Sequence, residues 1–387
     1  MGRYLNPDNQ AFSAIKNNDL FVDQSDLLSL MNRQLGSRSS FWCCSRPAHF
    51  GKTTTAQMFA AYYSRGADSE KLFEKLAVNT ESTDSSSASD AGALNRRYRN
   101  QLDVLYLDMA PLVANCQDLS QFHKTVLEAV SPELHETFSD VPVDNSEGLA
   151  LLLSEISLKT GRRFFFIMDN YDALFLDSRA DHEIRRRYYQ FLFSLFYWPQ
   201  HLIGCYLTGR LQPYKRGALW STLDDFNAAS LRYPSGFDFM PYAGLNETQV
   251  KNLCQTYSIS AETMFHWFGG YHSRGKSQIC RTASVLNAIK TRRFQPFFSA
   301  DELTQLTKLI QQPIEGLPAS VQALVNGKTV RVDPVIFDND GQTFRLQDEV
   351  LNCLVHFGWL SYDCDDTCVR IPNEECRQGF LTVLKTL

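Results

Sequence analysis

One segment near the start of the chain sets the expectation for the whole architecture, and it reads Arg46-Pro47-Ala48-His49-Phe50-Gly51-Lys52-Thr53. A short apolar run, Phe41-Trp42-Cys43-Cys44, comes just before it, and helical periodicity from Thr53 to Tyr63 follows. Strand, glycine-containing turn and helix is the order in which backbone N–H groups converge on an anion at a helix N-terminus. The segment therefore predicts a phosphate-binding loop.

Each residue type in this loop has a chemical role. Gly51 allows close backbone approach, Lys52 can reach the β and γ phosphates of a nucleotide, and the Thr53 hydroxyl can bind Mg²⁺. The usual pattern has a glycine where this chain has Arg46, so a helix N-terminus with an exposed lysine is the alternative interpretation. The predicted nucleotide-binding residues are Arg46, Phe50, Gly51, Lys52, Thr53, Thr54 and, from a later strand, Thr208.

A second signal is the apolar run Phe164–Met168, which ends in Asp169 and Asn170. A buried strand that ends in Asp typically presents a carboxylate to Mg²⁺ beside a phosphate loop, although Asp169 could simply cap the strand. Enzymes that hydrolyse ATP generally have Glu next, to orient the attacking water. Asn170 cannot accept a proton at neutral pH, and Asp172 is the candidate substitute.

A third signal is Leu207-Thr208-Gly209-Arg210 at the end of another apolar strand. Ligands of open parallel sheets meet the carboxyl ends of the strands. We expect Thr208 to sense the γ-phosphate and Arg210 or Lys215 to stabilise its charge. Arg210 could equally be a surface arginine after a turn.

Apolar strands without alternation indicate the fold class. The runs at 104–107, 164–168 and 202–207 are separated by helical patterns, which predicts an α/β protein with a parallel sheet covered on both faces. We predict a nucleotide-binding domain over residues 1–245. Within it, residues 80–100 are expected to form a mobile loop, because Thr80–Gly92 is almost devoid of apolar residues.

The rest of the chain changes in character. A helical region is predicted over residues 246–312 and a small winged-helix-like module over 313–387. In that module we predict a helix at 348–357, a hairpin from 359–362 and 368–371, and a terminal helix from 374.

Composition restricts the location and the partners. The formal net charge is −5, which argues against strong binding to nucleic acid. No apolar run approaches a membrane span and no secretion signal is present, so we expect a cytoplasmic protein without an anchor. The ten scattered cysteines are expected to be reduced, and Cys364, Cys368 and Cys376 lack the paired spacing of a zinc site.

The three signals, in this order and spacing, resemble the AAA-ATPase-like family of bacterial proteins, which is grouped with the STAND-type P-loop ATPases. The loop is similar to the family's Arg-Pro-Arg-Arg-Phe-Gly-Lys-Thr, and the resemblance begins at Phe12. Further segments that resemble family landmarks are Phe21-Val22-Asp23, Tyr106-Leu107-Asp108, Asp169-Asn170-Tyr171-Asp172, Leu207-Thr208-Gly209, Trp267-Phe268-Gly269-Gly270-Tyr271, Ser284-Val285-Leu286-Asn287, Gly358-Trp359-Leu360 and Ile371-Pro372-Asn373-Glu374-Glu375.

The resemblance implies an ATP-binding protein that uses Mg²⁺. Ala48 and His49 replace two arginines of the family's loop, and Asn170 replaces its Glu. Many relatives continue into a restriction-nuclease-like domain, whereas this sequence stops at Leu387, so we expect no nuclease activity.

These features favour a nucleotide-dependent switch that hydrolyses ATP slowly or not at all and contacts an unknown protein partner. Two alternatives stay open. One is an active ATPase, with Asp169, Asp172 and Arg210 as its catalytic residues. The other is a pseudo-ATPase that serves as an interaction scaffold in an effector or defence role.

Overall fold

The structure, a computed structural model, describes residues 1–79, 88–141, 148–197, 199–211, 227–230, 242–272, 278–334, 342–363 and 365–386. These residues cluster in two units. The first contains Met1–Cys43 and Lys52–Gly209. The second contains Cys44–Gly51, Arg210 and Ala228–Leu387. No helix in the described ranges is both long and apolar enough to cross a membrane.

The main sheet has the order β2-β3-β4-β1-β5. β2 pairs with β3 and β3 with β4 in parallel, and every residue of β3 is buried. This agrees with the predicted α/β class, because strands buried on both faces are apolar throughout. The strands are β1 (Phe41–Ser45), β2 (Asp103–Asp108), β3 (Phe164–Asp169), β4 (Leu202–Gly209) and β5 (Asn227–Ser230).

Ten α-helices lie in the described part of the first unit. Of these, α3 (Lys52–Tyr63) packs on the sheet and contacts β2, β3 and β4. Its Phe59 ring lies 4.9 Å from the Tyr206 ring and 5.7 Å from the Phe165 ring, centroid to centroid. The helices are α1 (Gln10–Lys16), α2 (Asp26–Gln34), α3 (Lys52–Tyr63), α4 (Glu70–Phe73), α5 (Ala88–Tyr98), α6 (Met109–Asn115), α7 (Phe122–Thr137), α8 (Leu149–Thr160), α9 (Ala173–Leu176) and α10 (His182–Phe196).

Helix α5 differs from the loop prediction for residues 80–100. Residues 80–87 lie outside the described ranges, but Ala88–Tyr98 is helical. Asn95 is buried on this helix, where its Oδ1 accepts a hydrogen bond from Asn32 Nδ2 at 2.8 Å and its backbone O accepts one from the Tyr62 hydroxyl at 2.6 Å. Hydrogen bonds between buried polar groups therefore stabilise this helix, in a region where the scarcity of apolar residues had indicated a loop.

The second unit contains two three-stranded sheets, of order β6-β8-β7 and β10-β11-β9, whose paired strands are antiparallel. Its strands are β6 (Leu245–Asn246), β7 (Tyr271–His272), β8 (Gln278–Cys280), β9 (Val330–Arg331), β10 (Ser361–Asp363) and β11 (Cys368–Arg370). Its helices are α11 (Glu247–Thr256), α12 (Ala261–Phe268), α13 (Thr282–Thr291), α14 (Ala300–Ile310), α15 (Leu317–Val325), α16 (Gln347–His356) and α17 (Glu374–Leu384).

The C-terminal elements agree with the sequence pattern. The predicted helix at 348–357 is α16, the predicted hairpin is β10 with β11, and the predicted terminal helix is α17. That they form a winged-helix-like module, and that the domains divide at 245 and 312, stay predictions.

Candidate nucleotide-binding site

The predicted phosphate loop connects the last residue of β1 to the first residue of α3. Two of its residues have left-handed backbone, His49 with φ 69° and Gly51 with φ 87°. The left-handed backbone conformation is energetically unfavourable for residues other than glycine. It can turn successive N–H groups toward one side, which is how the backbone builds concave anion sites. These two left-handed residues fit a phosphate-binding turn, and that the loop binds phosphate stays a prediction.

Lys52 is the first residue of α3 and is only 9 % exposed. This differs from the exposed lysine of the alternative interpretation. Thr53 follows with an exposed side chain, and Thr54 is half-buried. At a helix N-terminus these positions offer an ammonium group, a hydroxyl and backbone N–H groups, which are the groups that bind phosphate or its Mg²⁺ in proteins.

The other two predicted loop residues are buried. Arg46 and Phe50 are at most 1 % exposed, and the Phe50 ring makes an edge contact with the Tyr271 ring at 5.2 Å. Phe50 can therefore contribute its backbone N–H to a ligand, while its side chain anchors the loop.

A polar cluster lies where β2, β3 and β4 end. Asp169 is fully buried, the Thr208 hydroxyl donates a hydrogen bond to its Oδ1, and the Tyr106 hydroxyl donates one to its Oδ2 at 3.4 Å. The parallel register causes this, because it sets Asp108 beside Asp169 and Met168 beside Leu207. The structure thus brings together two of the predicted site residues, Asp169 and Thr208.

Asn170 belongs to the same cluster. Its backbone is left-handed, with φ 56°, and its N–H donates to Thr208 Oγ1 at 3.1 Å. Its side-chain Nδ2 donates to Asp108 Oδ1 at 3.0 Å. Asn170, which stands where Glu was expected, therefore donates a hydrogen bond from its side-chain amide to the Asp108 carboxylate.

Asp108 is the residue that sequence reasoning missed as a site residue, since it was noted only as the last residue of the segment Tyr106-Leu107-Asp108 that resembles the family. Burial raises its pKa above the ordinary value, the nearby charge of Asp169 raises the pKa further, and the hydrogen bond from Asn170 opposes both effects. The parallel register of β2 with β3 was the signal that could have identified it.

The two remaining catalytic candidates lie in other surroundings. Asp172 is 2 % exposed and directly precedes α9. The Arg210 guanidinium lies over the Phe357 ring at 5.4 Å from its centroid, and its backbone O accepts a hydrogen bond from His356 Nδ1 at 3.2 Å. Lys215 lies outside the described residues. The catalytic roles of Asp172 and Arg210 stay predictions.

The residue types present fit a nucleotide with Mg²⁺. Asp169 supplies a carboxylate, Thr53 a hydroxyl and Lys52 a cation, and the loop offers left-handed backbone to phosphate oxygens. Within the described ranges, no group of three or more His, Cys, Asp or Glu side chains could hold a metal alone.

Part of the chain matches a known protein family, and solved structures are similar to the chain. A family profile described as "Predicted AAA-ATPase" matches residues 9–209. A Walker-type ATPase of Pyrococcus abyssi is similar at 12 % identity and a TM-score of 0.45, covering 93 % of this chain and 96 % of its own. Cdc6p of Pyrobaculum aerophilum is similar at 12 % identity and a TM-score of 0.33, covering 97 % and 98 %. None of the curated proteins compared with the chain matches it.

Proposed function

The chain belongs to the predicted AAA-ATPase family, and on this premise we propose that it binds ATP with Mg²⁺ and acts as a nucleotide-dependent switch with slow or no hydrolysis. The observation that carries ATP binding is the loop itself. Left-handed Gly51 leads directly into buried Lys52 at the start of α3. In this proposal the loop N–H groups and Lys52 hold the phosphates, Thr53 and Asp169 bind Mg²⁺, and Thr208 orients Asp169.

Asn170 supports the slow hydrolysis. A general base must accept a proton from the attacking water, and an amide cannot do so at neutral pH. Its Nδ2 is also committed to Asp108 at 3.0 Å. ATP bound without rapid turnover can bias the protein between two conformations by its differential affinity for them.

An active ATPase is the second candidate, and for it we propose Asp108 as the base in place of Asp172. Asp108 is a half-buried carboxylate with a raised pKa, and it accepts a hydrogen bond from the Asn170 side chain. It is better suited to proton transfer than Asp172, which is 2 % exposed.

The test of ATP binding is titration calorimetry with ATP and Mg²⁺ on the wild type and on Lys52→Ala. We expect the variant to bind about 2–4 kcal/mol more weakly, because a charge-assisted contact and its anchor are lost together. Circular dichroism would confirm that the variant is folded. A folded Lys52→Ala protein with wild-type affinity would refute the phosphate-loop assignment.

A further inference from the structure

The phosphate loop has its packing partners in the second unit, of which residues 44–51 form part. Phe50 makes the first contact, edge-to-face with Tyr271 at 5.2 Å and 85°. Tyr271 is fully buried, and its hydroxyl donates to the backbone O of Gly358 at 2.5 Å. The ring that holds Phe50 is thus itself tied to the turn after α16.

Pro47 makes the second contact, and it meets the same turn. Gly358 has φ 83°, and a Cβ placed on it would lie 2.7 Å from Pro47 Cβ. A side chain there would collide with the proline, so glycine permits the close approach. Pro47 and Phe50 are therefore both held through Tyr271 and Gly358.

His49 makes the third contact, at the loop's left-handed position. Its backbone O accepts a hydrogen bond from the Ala283 N–H, in the first turn of α13, at 3.2 Å. Its Nε2 lies 3.8 Å from Glu302 Oε2, and Glu302 Oε1 is 2.6 Å from Nη2 of the buried Arg281. Unfavourable backbone at a residue with a side chain persists only where its surroundings hold it.

From these contacts we infer that Tyr271 and Glu302 are positioning residues of the phosphate site, which hold the loop in its phosphate-binding shape before nucleotide arrives. A loop that is already ordered loses less conformational entropy on binding, so its affinity is higher. The inference rests on the proposed function. It adds that residues more than 200 positions after the loop set its affinity for nucleotide.

Linkage makes this effect reciprocal. If the packing of Tyr271 and Glu302 on the loop raises the affinity for nucleotide, bound nucleotide must stabilise that packing by the same factor. The C-terminal half would then register occupancy of the site through the loop.

Two conservative variants test the inference. Tyr271→Phe keeps the ring against Phe50 and removes the hydrogen bond to Gly358. Glu302→Gln keeps the capping box with Ser299, which accepts Gln as well as Glu, and removes the charge beside His49 and Arg281. Glu374→Gln is the matched control, because the Glu374 carboxylate pairs with Arg377 and Gln378 of its own helix, α17.

The measurements are the Kd for ATP with Mg²⁺ by calorimetry and amide hydrogen exchange over residues 48–52 in the nucleotide-free protein. We expect both variants to bind ~3–10-fold more weakly and their loop amides to exchange faster, because Tyr271→Phe loses one hydrogen bond and Glu302→Gln loses the charge that faces His49 and Arg281. Glu374→Gln should change neither quantity.

The outcomes separate this inference from the proposed function. Wild-type Kd and wild-type loop exchange in both variants would overturn the inference and leave ATP binding standing. Failure of the wild type to bind ATP would overturn the proposed function, and loop exchange in the nucleotide-free variants would still decide whether Tyr271 and Glu302 position the loop. Should Tyr271→Phe not fold, Glu302→Gln decides alone.

Discussion

Asn170 and Asp108 show how a single amide can change the expected chemistry of a site. The sequence predicted a missing carboxylate at 170, and the structure places one next to it, 3.0 Å from Nδ2. The two residues are 62 positions apart, so no local pattern joins them. The sequence pattern singles out three candidate residues, because Lys52 begins a helix, Asp169 ends a strand and Thr208 lies one residue before the end of another strand. Asp108 becomes a candidate only when the register of β2 with β3 is known.

This pair yields a prediction about Asn170→Glu. Glu would replace a donor to Asp108 with a second negative charge, so we expect the single variant to be less stable and to gain little turnover, since like charges at this distance repel. The double variant Asn170→Glu with Asp108→Asn restores one carboxylate and one amide. We expect it to release phosphate from ATP up to about 10²-fold faster than the wild type, the lower end of general-base assistance.

Phosphate release from the wild type, Asp108→Asn and both Asn170 variants would check this expectation. Brisk wild-type turnover that collapses in Asp108→Asn would contradict the slow switch and identify Asp108 as the base.

Among the elements, strands were the easiest to predict and α5 the hardest. The strands Phe164–Asp169 and Leu202–Gly209 are recognisable in the sequence, because a strand covered on both faces is apolar along most of its length. Helix α5 is fixed by hydrogen bonds of Asn95 to residues more than 60 positions earlier, such as Asn32. Composition predicts burial of apolar surface well, but it does not reveal a partner for a buried amide.

Asp103, at the start of β2, provides a stability prediction. It is 1 % exposed, Arg162 Nε lies 2.6 Å from its Oδ2, and Arg65 Nε lies 3.3 Å from its Oδ1. Asp103→Asn should lower the free energy of unfolding by about 2–3 kcal/mol, somewhat less than for a wholly buried pair because both arginines reach solvent. Urea unfolding measures this. Glu183→Gln, which breaks an exposed pair on α10, should have no resolvable effect, and equal losses in the two variants would contradict the prediction.

His201, next to β4, provides a prediction about pH. Burial lowers its pKa from 6.5 to about 4. Between these values the unfolded chain binds more protons than the folded protein, so stability falls as pH drops from about 6.5 toward 4, by ~3 kcal/mol over the full window. Removing the imidazole in His201→Gln should flatten the pH dependence of urea unfolding between pH 7 and pH 5. A variant as pH-sensitive as the wild type would show that other groups are responsible.

For the whole molecule, the arrangement of charge and burial bears on partners. The net charge is −5. In α16 every residue from Val350 to His356 is buried, and its first turn carries Asp348 and Glu349. A helix that enters a DNA groove needs an exposed, basic face. We therefore propose a protein partner for the C-terminal half.

Fluorescence anisotropy with labelled duplex DNA tests this on the full chain. We expect Kd values no tighter than the ~10⁻⁴–10⁻⁶ M of non-specific binding at physiological salt. Nanomolar binding that weakens steeply with salt would overturn the prediction.

The contacts of the phosphate loop also bear on how the protein matures on the ribosome. Pro47 meets its partner Gly358 about 300 residues later in the chain. At ~5–20 residues per second, the nascent loop waits on the order of 15–60 s for the turn that it packs against. During translation the parallel sheet can form from residues that emerge early, while the loop lacks its packing partner until Gly358 has been made. A nascent chain that has not yet reached Gly358 would thus bind ATP more weakly than the finished protein.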